Sequence, residues 1–229
     1  MPRDRGPALV IAVDGPAAAG KGTLARRLAQ VLNLAYLDTG LLYRAVGMKT
    51  LGSGTDRFDR EAAAAARSIV LDDLARTDLR SDQAANAASR AAAVPAVREA
   101  LLGFQRRFAA DPPDASAGTI LDGRDIGSVV CPDATVKLYI TAAAGERAMR
   151  RLRELRERGL TAIHSRVLQD LQERDARDAG RNVAPLKPAE DAIVIDSSDL
   201  DADAVLAVAL QLIEAKLQRG RSCPSGSAG

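Results

Sequence analysis

An uninterrupted apolar run, Ala8-Leu-Val-Ile-Ala-Val-Asp14, ends directly on Gly15-Pro-Ala-Ala-Ala-Gly20-Lys21-Gly22-Thr23, and helical spacing takes over from Lys21 to Leu32. An apolar run of this kind, closed by a glycine turn, predicts a strand buried on both faces. The helix that follows is expected to bury Leu24, Leu28 and Val31. Strand, glycine loop and helix N-terminus in this order form an anion cradle. Gly15 and Gly20 let the backbone turn so that successive N–H groups aim at one oxyanion, and the helix adds the positive end of its dipole. Lys21 then stands where it reaches the β- and γ-phosphates of a nucleoside triphosphate. Gly15, Pro16, Ala17, Ala18, Ala19, Gly20, Lys21, Gly22 and Thr23 are the expected contacts for ATP. The position after the lysine, commonly a Ser or Thr that ligates magnesium, is Gly22. Magnesium keeps its waters readily, so it is expected on phosphates and water, with Asp14 or Asp122 as candidate side chains.

Further strands are expected at Leu34–Asp38, Thr119–Asp122, Val136–Thr141 and Ala192–Asp196. Helices are expected from Leu41 to about Leu51, over 144–158 and 165–178 on either side of Gly159, and from Asp201 to about Arg219. Residues 59–110 are alanine-rich and helical without a clear strand, with Pro95 at a helix start. Alternation of strands and helices implies an α/β fold: five parallel strands flanked by helices. In such sheets ligands bind beyond the carboxyl ends of the strands, so the loops after Asp14, Asp38, Asp122 and Thr141 should share one crevice.

Composition narrows the class. The chain has 229 residues, 32 basic against 30 acidic, and only 3% aromatics in a 47% hydrophobic total. Its core must come from Ala, Val, Leu and Ile. Arginine clusters between Arg147 and Arg181, and its planar fork suits phosphate. Those arginines alternate with Asp and Glu, and no aromatic platform for bases is present, so a nucleic-acid partner is not expected. Two cysteines, Cys131 and Cys223, suggest neither a disulfide framework nor a metal site. No apolar run reaches membrane-spanning length, and a cytoplasmic location and no membrane partner are expected.

Two further loops carry candidate phosphate ligands. Asp38-Thr39-Gly-Leu-Leu-Tyr43-Arg44 supplies a hydroxyl and a guanidinium, and Asp122-Gly-Arg124-Asp125-Ile-Gly-Ser128 an arginine and two carboxylates. Asp38 could instead cap a helix, and Arg124 could be a surface ion pair. With these motifs the stretch from about Leu9 to Lys216 resembles the bacterial cytidylate kinases, within the nucleoside monophosphate kinases. The resemblance rests on Val13-Asp-Gly-Pro16, Gly20-Lys-Gly-Thr23, Leu37-Asp-Thr-Gly40, Tyr43-Arg44, Ala85-Asn-Ala-Ala-Ser89 and Val97-Arg-Glu-Ala-Leu101. It continues in Asp122-Gly-Arg-Asp-Ile-Gly127, Pro132-Asp-Ala134, Glu173-Arg-Asp175, Arg177-Asp178, Arg181 and Val183-Ala-Pro-Leu186. Gly-Lys-Gly-Thr alone points only to nucleotide kinases; the combination is more specific.

The resemblance implies a P-loop kinase fold that moves the γ-phosphate of ATP to CMP or dCMP with magnesium. It implies Arg44, Arg124 and Arg181, with Thr39 nearby, on the acceptor phosphate. It further implies Ser89, Arg98 and Asp125 on the cytosine and Arg174 and Asp178 on the pentose. Lys21, Arg124, Arg151 and Arg177 are then the candidates on the transferring phosphates. It divides the chain into a core (8–58, 111–145 and 182–219), an acceptor-binding region with a shortened insert (59–110) and an arginine-rich lid (146–181). Residues 220–229 are expected to be a disordered tail, and the protein a monomer. Arg153, Arg156 and Arg158 are expected on a solvated face, and His164 on the lid surface without a chemical role. UMP, AMP or a small metabolite such as shikimate are alternative acceptors. A nucleotide switch is a different class, but Asn-Lys-x-Asp is absent from the sequence.

Overall fold

A computed structural model describes residues 8–113, 116–181 and 184–221. Its centre is a fully parallel five-stranded sheet in the order β2-β3-β1-β4-β5. The strands are β1 Leu9–Asp14, β2 Ala35–Asp38, β3 Gly118–Gly123, β4 Val136–Thr141 and β5 Ile193–Asp196. Pairing sets Asp14 opposite Gly123, Asp38 opposite Asp122 and Thr141 opposite Asp196, so the acidic strand ends share one edge.

Alternate residues of the strands face opposite layers, because side chains in a strand repeat every second position. Ile11, Val13, Ile120, Leu138 and Ile140 pack against α1 (Lys21–Leu32) and α8 (Ala202–Arg221). Ala12, Leu37 and Leu121 pack against the other layer. That layer holds α2 (Thr39–Lys49), α3 (Thr55–Arg67), α4 (Asp82–Ala91) and α5 (Pro95–Ala110). Two short 3-10 turns, Leu71–Ala75 and Thr77–Arg80, join α3 to α4, and no strand lies between them. Ser81 caps α4 by accepting from the Ala84 N–H at 3.1 Å, and Pro95 opens α5. The insert region is helical, as expected.

Beyond the sheet edge stand α6 (Ala144–Glu157) and α7 (His164–Ala179), the expected lid. They share a small core of Ala148, Leu152, Leu155, Val167 and Leu171, into which Ala17 of the glycine loop also packs. Arg153, Arg156 and Arg158 are exposed, as expected, and His164 is half-buried.

Several sequence expectations change. Val31 is 59% exposed; α1 buries Leu24, Ala25, Leu28 and Ala29, so small alanines complete the stripe that Val31 was expected to join. α2 begins two residues early, at Thr39. α3 begins at Thr55, inside the segment assigned to the core. α8 continues through Gly220 to Arg221, two residues past the expected boundary at about 219. The remainder of the expected tail lies outside the described residues, as does Val183 of the late motif. Among the described residues no helix is long and apolar enough to cross a membrane.

Candidate active site

The glycine loop lies where β1 meets α1 at the carboxyl edge of the sheet. Gly15 has φ +148°, and a Cβ there would sit 2.0 Å from the Ile140 carbonyl oxygen. Only glycine fits, because the loop must pass against β4 before it turns. Gly20 closes the loop at φ +88° and opens α1. Ala17, Ala18, Lys21 and Gly22 line a cleft of about 310 Å³. Ala19, Gly20 and Thr23 line a second cavity, of about 550 Å³. Gly15 and Pro16 are buried and line neither.

Every residue assigned to the acceptor nucleotide reaches the first cleft. Thr39 and Arg44 come from α2, Ser89 from α4, Arg98 from α5, and Arg124 and Asp125 from the loop after β3. Arg151 comes from α6, while Arg174, Asp178 and Arg181 come from α7 and the turn after it. Seven cationic and five acidic side chains line this cleft, so it holds a positive surplus where phosphate groups would lie.

Internal ion pairs hold these charges in place. Lys21 Nζ stands 3.5 Å from Asp122 Oδ1, and the Tyr36 hydroxyl donates to Asp122 Oδ2 at 3.2 Å. Burial pulls the Lys21 ammonium below its ordinary range, with Arg124 adding to the effect. Burial likewise pushes Asp122 up, against the pull of Lys21. Arg98 pairs with Asp125. Burial raises the Asp125 carboxyl, with Arg98 and Arg181 opposing it. Asp178 binds Arg124 Nε at 3.0 Å and also pairs with Arg181. Burial alone would raise Asp178, but the two guanidiniums overcome it and hold the carboxyl below its usual range. Arg44 donates to the Leu79 carbonyl at 2.7 Å, so the 3-10 turn of the insert orients it. Arg174 is lowered to about 10 by burial and then by Arg124, which leaves it charged at neutral pH.

Four expectations are corrected here. Asp14 is buried and does not line the cleft, and its two oxygens accept the Ile126 and Gly127 N–H groups, both at 2.8 Å. Its role is to pin the loop that carries Arg124 and Asp125. The Thr39 hydroxyl donates to the Asp122 carbonyl at 2.7 Å, so its proton ties the start of α2 to β3 and is not directed at a phosphate. Arg177 lies outside the cleft; it is exposed and lines an adjoining cavity with Asn86, Asp170 and Glu173. The loop after Thr141 lines neither of the two main cavities; it donates from the Ala143 N–H to the Ser198 hydroxyl at 2.8 Å and accepts at the Ala142 carbonyl from Arg147 at 2.9 Å. Asp38, the possible cap, makes no side-chain capping bond. Arg124, the possible surface pair, is paired within the cleft.

Gly22 is explained by space. A Cβ at this position would stand 3.0 Å from Asp122 Oδ2. The absence of a side chain lets that carboxylate approach the loop beside Lys21. Among the described residues no group of three His, Cys, Asp or Glu side chains could hold a metal. Asp122 is thus the one of the two candidates with a carboxylate at the cleft.

The second cavity contains residues the sequence reading missed. It is lined by Glu146, Arg150, Arg153 and the Ser197–Val205 segment after β5. Arg150 donates to the Ser197 hydroxyl at 2.9 Å, and that hydroxyl lies 3.1 Å from the Ala19 carbonyl of the glycine loop. The crevice rule, extended to the loop after Asp196, would have found this segment.

The cytidylate kinase family model matches residues 11–215. The chain belongs to the cytidylate kinase family. A cytidylate kinase of Paramagnetospirillum magneticum is 62% identical over 208 residues, covering 90% of this chain and 98% of that protein. One from Rhodospirillum rubrum is 53% identical over 212 residues, covering 92% and 100%. Among solved structures, an uncharacterised protein of Eubacterium ventriosum superposes with TM-score 0.52 at 14% identity, covering 90% of this chain and 99% of that one. That likeness supports the α/β fold alone. The family match spans the sheet and the helices α1 to α7 together.

Proposed function

We propose that this member of the cytidylate kinase family transfers the γ-phosphoryl group of ATP to CMP or dCMP, giving ADP and CDP or dCDP. The observation that carries the reading is the convergence of Ser89, Arg98 and Asp125 with Arg44, Arg124 and Arg181 in the cleft that also holds Lys21. The relatives at 62% and 53% identity named for the same activity support it.

The base pocket follows from donor and acceptor matching. Cytosine offers an exocyclic amino group beside the N3 and O2 acceptors. Asp125 accepts from the amino group while Arg98 donates to the ring acceptors. Uracil presents an acceptor where cytosine has the donor, and a buried carboxylate facing it would be unpaired and costly. Arg44, Arg124 and Arg181 take the acceptor phosphate, and Arg174 with Asp178 the pentose. Each Asp178 oxygen engaged by an arginine keeps a second lone pair for a hydroxyl.

Phosphoryl transfer needs positioning and charge compensation more than covalent help from the protein. The loop amides and Lys21 cradle the donor phosphates, and Lys21 follows charge from the γ- toward the β-phosphate as the bond breaks. Arg124 and Arg151 neutralise the equatorial oxygens. The residues fit magnesium held by phosphates and water with the Asp122 carboxylate beside it, and the bound ion would supply positive charge that offsets phosphate repulsion. The second cavity, between α6 and the segment after β5, suits the donor's nucleoside. We infer a monomer.

An acceptor panel of CMP, dCMP, UMP and AMP tests the reading. ADP should form fastest with CMP or dCMP; equal or faster turnover with AMP would remove the cytosine assignment. Replacing Lys21 with Met should lower kcat by at least about a hundredfold, the scale of losing one transition-state donor.

A further inference from the structure

The last carbonyls of a helical turn have no partners within the turn itself, and in the 3-10 turn Thr77–Arg80 they are met from outside. The Leu79 side chain is fully buried, which fixes this turn to the core. The Asp78 carbonyl accepts from the Ser81 N–H at 3.1 Å and from the Ser81 hydroxyl at 2.8 Å. The Leu79 carbonyl accepts from Arg44 of α2 at 2.7 Å. The next carbonyl, that of Arg80, accepts from Arg158 Nη1 at 3.1 Å. Arg158 stands at the C-terminal end of α6. Turn and helix face each other across a groove of about 500 Å³, lined by Thr77, Arg80 and Ser81 on one side and Arg151, Leu155 and Arg158 on the other.

The second nitrogen of the Arg158 fork, Nη2, pairs with Glu154 Oε1. The other carboxylate oxygen, Oε2, accepts from Arg151 Nη1 at 2.7 Å. Glu154 and Arg151 both line the acceptor cleft, and Arg158 does not. The three side chains thus run in one line from a backbone carbonyl of the turn to a cation at the cleft. A pair three or four residues apart on a helix surface is weak by itself, because two long side chains lose rotamer freedom to meet. Here the far end of the line is hydrogen-bonded to a turn held by a buried leucine. The planar guanidinium serves carboxylate and carbonyl together from one fixed fork, so Glu154 is presented to Arg151 in one place rather than several.

We propose that Glu154 and Arg158 are positioning residues for the transfer step: anchored on the Arg80 carbonyl, they hold the Arg151 guanidinium in the cleft. This rests on the reading above that Arg151 neutralises oxygens of the transferring phosphoryl group. The same turn holds Arg44 through the Leu79 carbonyl, so adjacent backbone carbonyls steady one cation of the acceptor side and one of the transfer step. A guanidinium that acts on charge developing in the transition state affects kcat more than ground-state binding. Losing its anchor should therefore lower kcat and leave KM for both nucleotides near the wild-type values.

Steady-state kinetics with CMP and ATP test it on Arg158→Ala, Glu154→Gln, Arg151→Ala and the double variant Arg151→Ala with Arg158→Ala, with a thermal midpoint for each. Arg151→Ala should lower kcat by about a hundredfold, the scale of one lost transition-state donor. Arg158→Ala and Glu154→Gln should each lower kcat by about tenfold, as for a group misplaced rather than missing, with KM for CMP and for ATP within about twofold. In the Arg151→Ala background the Arg158→Ala loss should vanish, because both act through one guanidinium. Midpoints of Arg158→Ala and Glu154→Gln should stay within about 4 °C of wild type, since exposed pairs contribute little stability. Arg156→Ala, at a neighbouring exposed arginine of α6, should keep kcat within about twofold and so separates position from charge. Wild-type kcat in Arg151→Ala sinks the transfer role of Arg151 and this inference together. A loss there, with kcat unchanged in either Arg158→Ala or Glu154→Gln, or with the Arg158→Ala loss repeated in full in the double variant, sinks this inference alone. A fall in Arg156→Ala as large as in Arg158→Ala would assign the effect to charge, and a lower midpoint with both KM values rising in step would assign it to packing; either overturns it.

Discussion

Asp178 is the charge on which the acceptor arginines depend, and replacing it with Asn should expose that dependence. The carboxylate is 4% exposed and pairs with Arg124 and Arg181, whose side chains are 17% and 14% exposed. Removing one member of a buried ion pair costs about 3–5 kcal/mol, because the partner is left uncompensated. The two arginines keep some contact with water, and Asn keeps one acceptor oxygen, so about 2–3 kcal/mol is expected here. That corresponds to roughly 4–12 °C in melting temperature for a chain of this size. Urea melts of wild type and variant at pH 7, with and without saturating CMP, give the measurement. The gap should be present in the free protein and should narrow with CMP, whose phosphate supplies the missing negative charge. It should also close at low pH. The native pKa of Asp178 lies below 3.8, so its contribution is present above the unfolded value and is lost as pH falls through the native one. Equal stability of the two free proteins, or a gap that widens with CMP, would refute the reasoning.

Asp14 should show the opposite pH dependence. Burial raises its pKa from 3.8 to about 7 against the two N–H bonds it accepts. Its contribution is therefore fully present below the unfolded pKa and lost as pH rises through the native one. Wild type should lose up to about 4 kcal/mol relative to Asp14→Asn between pH 4 and 8; a flat difference in denaturant melts would show that the N–H bonds overcome desolvation. Gly22→Ala should separate stability from turnover: helix propensity gains up to about 1 kcal/mol, while the new Cβ forces Asp122 away from Lys21. Full kcat in that variant would contradict the close approach. Arg177→Ala should hold kcat within about twofold, and a hundredfold fall in steady-state rate would mean that closure carries Arg177 into the cleft.

What the sequence makes legible, and what it hides, follows from whether the determinants are local. The strands are readable because apolar runs end on glycine or aspartate, and the glycine loop is readable because strand, turn and helix are contiguous. Val31 was misplaced for a compositional reason. The spacing of Leu24, Leu28 and Val31 fits one helical face, but Ala25 and Ala29 carry the buried stripe beside the leucines. In an alanine-rich chain, side-chain size stops marking the buried face. Arg177 could have been excluded from periodicity alone. Leu171, Arg174 and Asp178 line the cleft, Leu171 and Arg174 reaching the other cavity as well, whereas Asp170, Glu173 and Arg177 line the other cavity and not the cleft. The pairings Arg98–Asp125 and Arg124–Asp178 could not be read locally, because they depend on the β2-β3-β1-β4-β5 order that brings separate segments to one edge. The same limit explains Asp14 and Thr39. Residue type tells what an oxygen can do, but whether it remains free is decided by backbone groups more than eighty residues away. Motifs therefore name the chemistry that a cleft can hold, and tertiary hydrogen bonds decide which members of each motif are left to perform it.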